Sequence, residues 1–390
     1  MATVRVRPLA SASDARAFLD LPRALYPPSS PWVEPLRFDQ AKLLDQKRHP
    51  FYEGGRSAEA AFFLAWDAGG RPVGRIAAIV NHQHSRYVEE RTGQPDATGF
   101  FGFFECVDDV DVARALVDAA AAWLRARGRT TMVGPASPSH NYEYGLLVEG
   151  FDRPHRFLLS YHLPYYQRLI EACGLAKERD LLAFSYDLTD PTLVAAVDAE
   201  ARRFERIWQE RYGDVVVRPL NLRRLGEEIR RGVDLINRSL LRNWGFAPMT
   251  ESELAEMAAT VRYVIDPELV LFAERQGEPV GIALTMPDLN EAIRRVRFRW
   301  GVLEMVEFLL RVKTSAISAA RIIALGVVQD RREFGIGPLL LLQTFRNLQK
   351  RGIKTADASW VLEDNEEMLR PLRRWGVPPD RIYRLYSMTL

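Results

Sequence analysis

Cysteine is nearly absent from this chain: two in 390 residues, Cys106 and Cys173. That excludes a disulfide framework or a thiolate metal cluster, and no metal is expected. Each thiol reads as a small packed hydrophobe. Charge of one sign is scarce too. The 53 Lys and Arg nearly balance the 51 Asp and Glu, leaving a formal charge of +2. Nucleic-acid binding, which needs a strong basic excess, is not expected. No apolar run reaches the ~18 residues that span a bilayer, and the N-terminus lacks the charged-then-apolar pattern of a secretory signal. The expected setting is the cytoplasm. What remains suits a folded chain long enough for two domains, with 47% hydrophobic and 27% charged residues.

The most informative stretch runs from Ala324 to Gly337. A strand, Arg321–Val328, passes through a short loop into a helix that continues to Lys350. Arg332, Gly335 and Gly337 are spaced R-x-x-G-x-G. Glycine lets backbone approach a ligand closely, and a helix start aims free N–H groups and a partial positive charge at one point. Pro338 suits the first turn, where its missing N–H costs nothing. Such a turn holds a phosphate, with Arg331 and Arg332 adding charge. The bare pattern also fits a plain strand-to-helix turn with solvated arginines.

Two segments repeat. Phe63 to Gly74 parallels Phe272 to Gly281, and each reads as a hairpin. After each come a strand, a helix, a strand, a second helix and a last strand, so the chain reads as two copies of one α/β unit. Asp190-Pro191 marks the break. The expected domains are residues 1–188 and 189–390, the second with an insertion at 288–320. Where the second copy has its Arg/Gly loop, the first has Val107-Asp-Asp-Val-Asp111, three carboxylates and no glycine. These would repel a phosphate, so the first copy is expected to lack a nucleotide site.

The succession around Arg332–Gly337 resembles the acetyl-CoA-binding half of the GCN5-related N-acyltransferases (GNATs), whose signature is Q/R-x-x-G-x-G/A. The closing Arg373-Arg-Trp-Gly-Val377 is similar to that family's ending. The resemblance implies an α/β (α+β) chain of two tandem GNAT-like domains, each a mixed, mostly antiparallel twisted sheet flanked by helices. It implies acyl-CoA or acetyl-CoA as co-substrate, inserted between splayed fourth and fifth strands. Gly326, Val327 and Val328 would then pair with the pantetheine arm, and the amide near Val327 would face the thioester oxygen. Amides across Glu333, Phe334, Gly335, Ile336, Gly337, Pro338 and Leu339 (proline's excepted) would hold the pyrophosphate. Asn365 resembles an asparagine that contacts coenzyme A. Many relatives carry an acidic tyrosine where this chain has Leu372, which leaves that step open. His49 to Glu53, Gly134-Pro through Gly145 to Phe151, and Pro287 to Asn290 are similar to a bacterial group of two-copy proteins that resembles bacterial ceramide synthases.

Two polar clusters offer acid–base groups. Asp288 and Asn290 follow the second hairpin: Asp288 as a proton acceptor or as a helix cap, Asn290 as an amine or hydroxyl ligand. Within Ser139 to Tyr144, His140 and Glu143 line a substrate cleft between copies or sit as satisfied loop residues. In the insertion, Val302, Met305, Val306, Leu309 and Val312 fall on one helical face, with Glu304, Glu307 and Arg311 opposite. That face packs on the core, covers a long acyl chain, or touches a membrane through 294–312; an acidic acyl carrier protein also fits. The functional expectation is an N-acyltransferase acting on a primary, lipid-like amine, in the cytoplasm or peripherally at the inner membrane. A silent acyl-CoA-binding module and a Fem-like transferase using aminoacyl-tRNA are the alternatives. The near-neutral charge counts against the last.

Overall fold

The computed structural model describes residues 4–211, 214–240, 244–298, 301–328, 335–374 and 376–390. The first repeat contains β1 (Arg5–Pro8), α1 (Ala12–Leu25), α2 (Arg37–Leu44), β2 (Ala58–Trp66), β3 (Pro72–Asn81), α3 (His82–Thr92), β4 (Thr98–Cys106) and α4 (Val110–Arg125). It continues through β5 (Thr131–Gly134), β6 (Ala136–Ser137), β7 (Glu143–Tyr144), β8 (Leu146–Glu149), α5 (Tyr166–Ala172) and β9 (Ala176–Asp187). The second contains α6 (Pro191–Arg211), β10 (Val215–Pro219), α7 (Leu225–Leu240), α8 (Glu251–Val261), β11 (Val270–Arg275) and β12 (Glu278–Pro287). Then follow α9 (Asn290–Ile293), α10 (Gly301–Thr314), β13 (Ala319–Val327), α11 (Ile336–Lys350), β14 (Thr355–Leu362), α12 (Glu366–Arg374) and β15 (Arg381–Thr389).

Local chemistry explains these elements. In α4, Val112, Ala113, Leu116, Val117, Ala120 and Leu124 recur at helical spacing and are buried. Asp109 caps that helix, its carboxylate accepting the N–H groups of Asp111 at 2.8 Å and Val112 at 3.3 Å. The strands β2 and β4 are rich in aromatic and β-branched-free apolar residues, buried along nearly their whole length.

Among the described residues, thirteen strands form one continuous sheet, in the order β1-β2-β3-β4-β5-β15-β9-β14-β13-β12-β11-β10, with β8 also on β15. Each repeat's last strand lies in the other's half. β15 pairs antiparallel with β5 of the first repeat, and β9 pairs antiparallel with β14 of the second. The two meet side by side at the centre. A contiguous cut between residues 188 and 189 therefore follows the chain but not the sheet.

Candidate active site

β13 and β14 pair in parallel at Ala319↔Thr355 through Ile322↔Ala358 and then part. β13 stays with β12 as far as Val327 opposite Gly281, while β14 stays with β9 as far as Leu362 opposite Leu181. The parting shows in burial. Mid-sheet strands are normally covered on both faces, yet Ile323, Ala324 and Leu325 are only half-buried. Two core clusters flank the gap, one under β9 and β14 and one under β11 and β12, and Leu325 touches both. The N–H of Val328 donates to Val280 O at 3.1 Å, on the β12 side. Alternation along a strand turns the Val327 amide the other way, into the gap.

α11 starts beside this gap. Gly335 is its N-cap in the left-handed region, φ 63° and ψ 18°, without a side-chain cap; that conformation favours glycine. A Cβ on Gly337 would find only Val327 Cγ2, at 3.9 Å. The first intrahelical bond runs from Leu339 N–H to Gly335 O at 3.3 Å. Pro338 has no N–H, so the amides of Ile336 and Gly337 have no acceptor within the helix. Arg331, Arg332, Glu333 and Phe334 lie outside the described residues.

The matching place in the first repeat is filled. β4 and β5 pair only from Thr98↔Thr131 to Phe100↔Val133. Beyond that, Ala136 and Ser137 lie in the opening. A Cβ on Gly102 would stand 1.7 Å from Ala136 O, so only glycine fits there. Phe103 N–H donates to Ser137 Oγ at 2.8 Å. The helix start is also taken, by the Asp109 carboxylate, and Asp108 pairs with Arg168.

The remaining candidates fall at the seam between repeats. Asp288 is buried, its carboxylate accepting from Phe157 N–H at 2.9 Å, Arg156 Nη1 at 3.3 Å and Asn290 N–H at 3.3 Å. Burial pushes its carboxyl up, against the pull of Arg156. Asn290 Nδ2 donates to His155 O at 3.0 Å. Both residues thus face first-repeat backbone. His140 Nε2 accepts Ala247 N–H at 3.4 Å, and burial lowers its pKa to about 3. Successive strand residues point to opposite faces. Glu143 therefore faces Arg75 and Glu105 in the first repeat, where burial raises its pKa to about 7. Its neighbour Tyr144 meets Trp360 of β14, ring centroids 5.8 Å apart. Among the described residues no hydrogen bond or ring contact joins the Asp288–Asn290 pair to the His140–Glu143 pair. Asn365 caps α12, its Oδ1 accepting Met368 N–H at 3.3 Å. Leu372 is buried in the core.

Sequence reasoning missed the group at the apex of the gap. Arg321, buried on β13, donates through Nε to Ser359 Oγ and through Nη2 to Ser359 O, both at 3.1 Å, and through Nη1 to Phe157 O at 2.8 Å. It clamps the two strands together just before they part. Desolvation lowers its pKa to about 10, opposed chiefly by Asp357. Asp357 in turn pairs with the buried Arg381 of β15. An alternating apolar strand pattern hides such residues; an Arg and an Asp inside otherwise apolar strands were the available signal.

The reading for α10 is corrected. Glu304, which periodicity put opposite the apolar stripe, is fully buried, while Val302, Met305 and Val306 of the stripe are exposed. Residue Leu36 at the N-cap of α2 has no capping side chain. Glu304 supplies the cap, accepting the N–H groups of Arg37 at 2.9 Å and Phe38 at 3.1 Å. Phe308 is buried beside it, and Leu309 and Val312 pack against the same cluster.

Two repeats, each with a parallel pair that parts beside a helix start, define a tandem GNAT fold. No protein-family model matches the chain. A tandem GNAT protein from the clavulanic acid biosynthesis pathway superposes with a TM-score of 0.57 at 14% identity, over 99% of this chain and 98% of that one. A GCN5-related N-acetyltransferase from Sphaerobacter thermophilus gives 0.50 at 16% identity, over 99% and 95%. In sequence, the chain is 33% identical over 388 residues to Protein YghO of Escherichia coli (strain K12), covering 98% of this chain and 94% of that protein. It is 33% identical over 393 residues to bacterial ceramide synthase of Caulobacter vibrioides (strain NA1000 / CB15N), covering 100% and 98%. The chain belongs to the family of these two proteins, a tandem GNAT group of acyltransferases.

Proposed function

We propose that this acyltransferase moves an acyl group from acyl-CoA to a primary amine, and that the acceptor is long-chain and lipid-like, of the sphingoid-base kind. The observation that carries the reading is the gap between β13 and β14 beside an uncapped, glycine-led helix start. The pantetheine arm lies in the gap along Gly326–Val328. The pyrophosphate rests on the amides of Ile336 and Gly337, with Arg331 and Arg332 close in sequence. The Val327 amide receives the thioester oxygen; one such donor contributes about 3 kcal/mol to transition-state stabilisation. The ammonium first gives one proton to solvent; the free amine then forms the C–N bond as the C–S bond breaks, and a second proton from its nitrogen ends on the thiolate sulfur. Asp288, Asn290, His140 and Glu143 position the seam. The first repeat, with its opening filled, binds no nucleotide. Acyl-CoA chemistry carries a cytoplasmic setting with it.

A catalytically silent acyl-CoA-binding role is the second reading, favoured by the engagement of Asp288 and His140 in hydrogen bonds. Thiol release from palmitoyl-CoA, followed with a panel of amines and with mass analysis of the products, separates the two. An amide product with a long-chain 2-amino alcohol is expected. Coenzyme A binding without amine-dependent thiol release would leave only the silent reading. Calorimetry tests the site itself. Gly335→Asp should weaken coenzyme A binding at least ~100-fold, since a carboxylate would face the pyrophosphate. Gly335→Asn, which tolerates the left-handed backbone, should bind within ~10-fold of the native chain. Equal affinity for Gly335→Asp and the native chain would end this reading.

A further inference from the structure

We infer that α10, with the residues leading into it, docks the protein on the surface of an anionic lipid bilayer. Phe298, Val302, Leu303, Met305, Val306 and Leu310 project outward, from 42% exposed at Met305 to 69% at Val302. Isolated exposed apolar residues are ordinary, but six on one helix and its approach form a patch. The helix is held in this rotation from behind. Buried Glu304 caps α2, and Phe308, Leu309 and Val312 pack inward. The outward face is therefore built into the packing, not left over from it.

Charge selects the occupant. Arg294, Arg295 and Arg297 before α10 and Lys313 in its last turn are exposed. Of the two acids on α10, Glu304 is buried. Glu307 accepts the N–H groups of Arg297 and Phe298 and pairs with Arg311 at 3.0 Å. An apolar face with exposed cations in the residues before it and near its end matches the boundary between acyl chains and anionic headgroups. A second copy of the chain would bring two sets of cations together, which repel. A cavity of about 730 Å³ opens where α10 begins; Gly301 lines it with Leu19 and Phe38 and with the charged Arg16, Arg37 and Lys42. Among the described residues no helix is long and apolar enough to cross a membrane, so the contact is peripheral. The inference stands apart from acyl transfer, because membrane contact needs no turnover.

Vesicle flotation tests it with the full chain. The protein should float with phosphatidylcholine vesicles containing about 30% phosphatidylglycerol, and several-fold less with phosphatidylcholine alone or in high salt. The double variant Leu303→Glu, Val306→Glu should lose at least ~10-fold in partitioning, because two carboxylates would enter the headgroup layer. Its thermal midpoint should match the native chain, since both sites face solvent. Failure of the native protein to float, or equal flotation of the variant, would overturn the inference. So would a dimer by gel filtration that the variant abolishes, or capture of an acidic acyl carrier protein in place of vesicles.

Discussion

At the scale of single residues, titratable side chains do structural work away from the gap. Burial lowers the pKa of His140 to about 3, that of His155 to about 4 and that of His162 to about 3. An unfolded histidine takes up its proton near pH 6.5. Between pH 6.5 and 3 the unfolded chain thus binds more protons, and stability falls as the solution is acidified. Glu143, raised to about 7, works in the opposite sense. The test is therefore differential. Replacing His140 by Gln, which keeps an acceptor for Ala247 N–H, should reduce the loss of unfolding free energy between pH 7 and pH 5 by about 2 kcal/mol. Urea titrations at both pH values measure it, and parallel losses in the two proteins would contradict the assignment. His140 was visible in sequence as a polar loop residue with two readings. Its burial depends on Phe246 and Ala247, more than a hundred positions away, and no local pattern reports that.

At the scale of elements, the two helix starts α4 and α11 are a controlled comparison within one molecule. Their difference was legible, because a run of aspartates and an Arg/Gly loop announce opposite electrostatics. Asp109→Ala removes the cap of α4 and should cost about 1 kcal/mol of stability, while coenzyme A affinity stays unchanged in calorimetry. A large loss of affinity would mean that the first repeat holds nucleotide after all. The strands, helices and hairpins were likewise readable from period and turn chemistry. The facing of α10 was not. Hydrophobic periodicity gives the width of an apolar stripe but not its destination, and here the stripe is split: one buried carboxylate, required by the uncapped α2, sits inward while Val302, Met305 and Val306 face out and Leu309 and Val312 pack in. Ala136–Ser137 filling the first opening was equally hidden, since two short residues carry no periodic signal.

At the scale of the whole molecule, the repeats were legible as copies, whereas their exchange of final strands was not. Both arrangements bury the same apolar faces, and pattern alone does not distinguish the neighbours of a strand. The exchange makes a strong prediction. Deleting residues 381–390 removes β15 from its places beside β5, β8 and β9. Arg381, Tyr383, Leu385 and Tyr386 are all buried to 1% exposure or less. Losing a large buried side chain costs roughly 3–5 kcal/mol, so four together are comparable to or larger than the ~5–15 kcal/mol that keeps a domain folded. The shortened chain should show no cooperative unfolding transition by circular dichroism. A surviving transition from an intact first half would refute the mutual dependence. The same arrangement bears on biosynthesis. The edge of β5 is made early, yet its partner β15 is made only after the rest of the second repeat. Until β15 is made the nascent chain carries an unpaired strand edge that another nascent chain could capture, so production of this protein should be sensitive to crowding of polysomes and to factors that shield growing polypeptides.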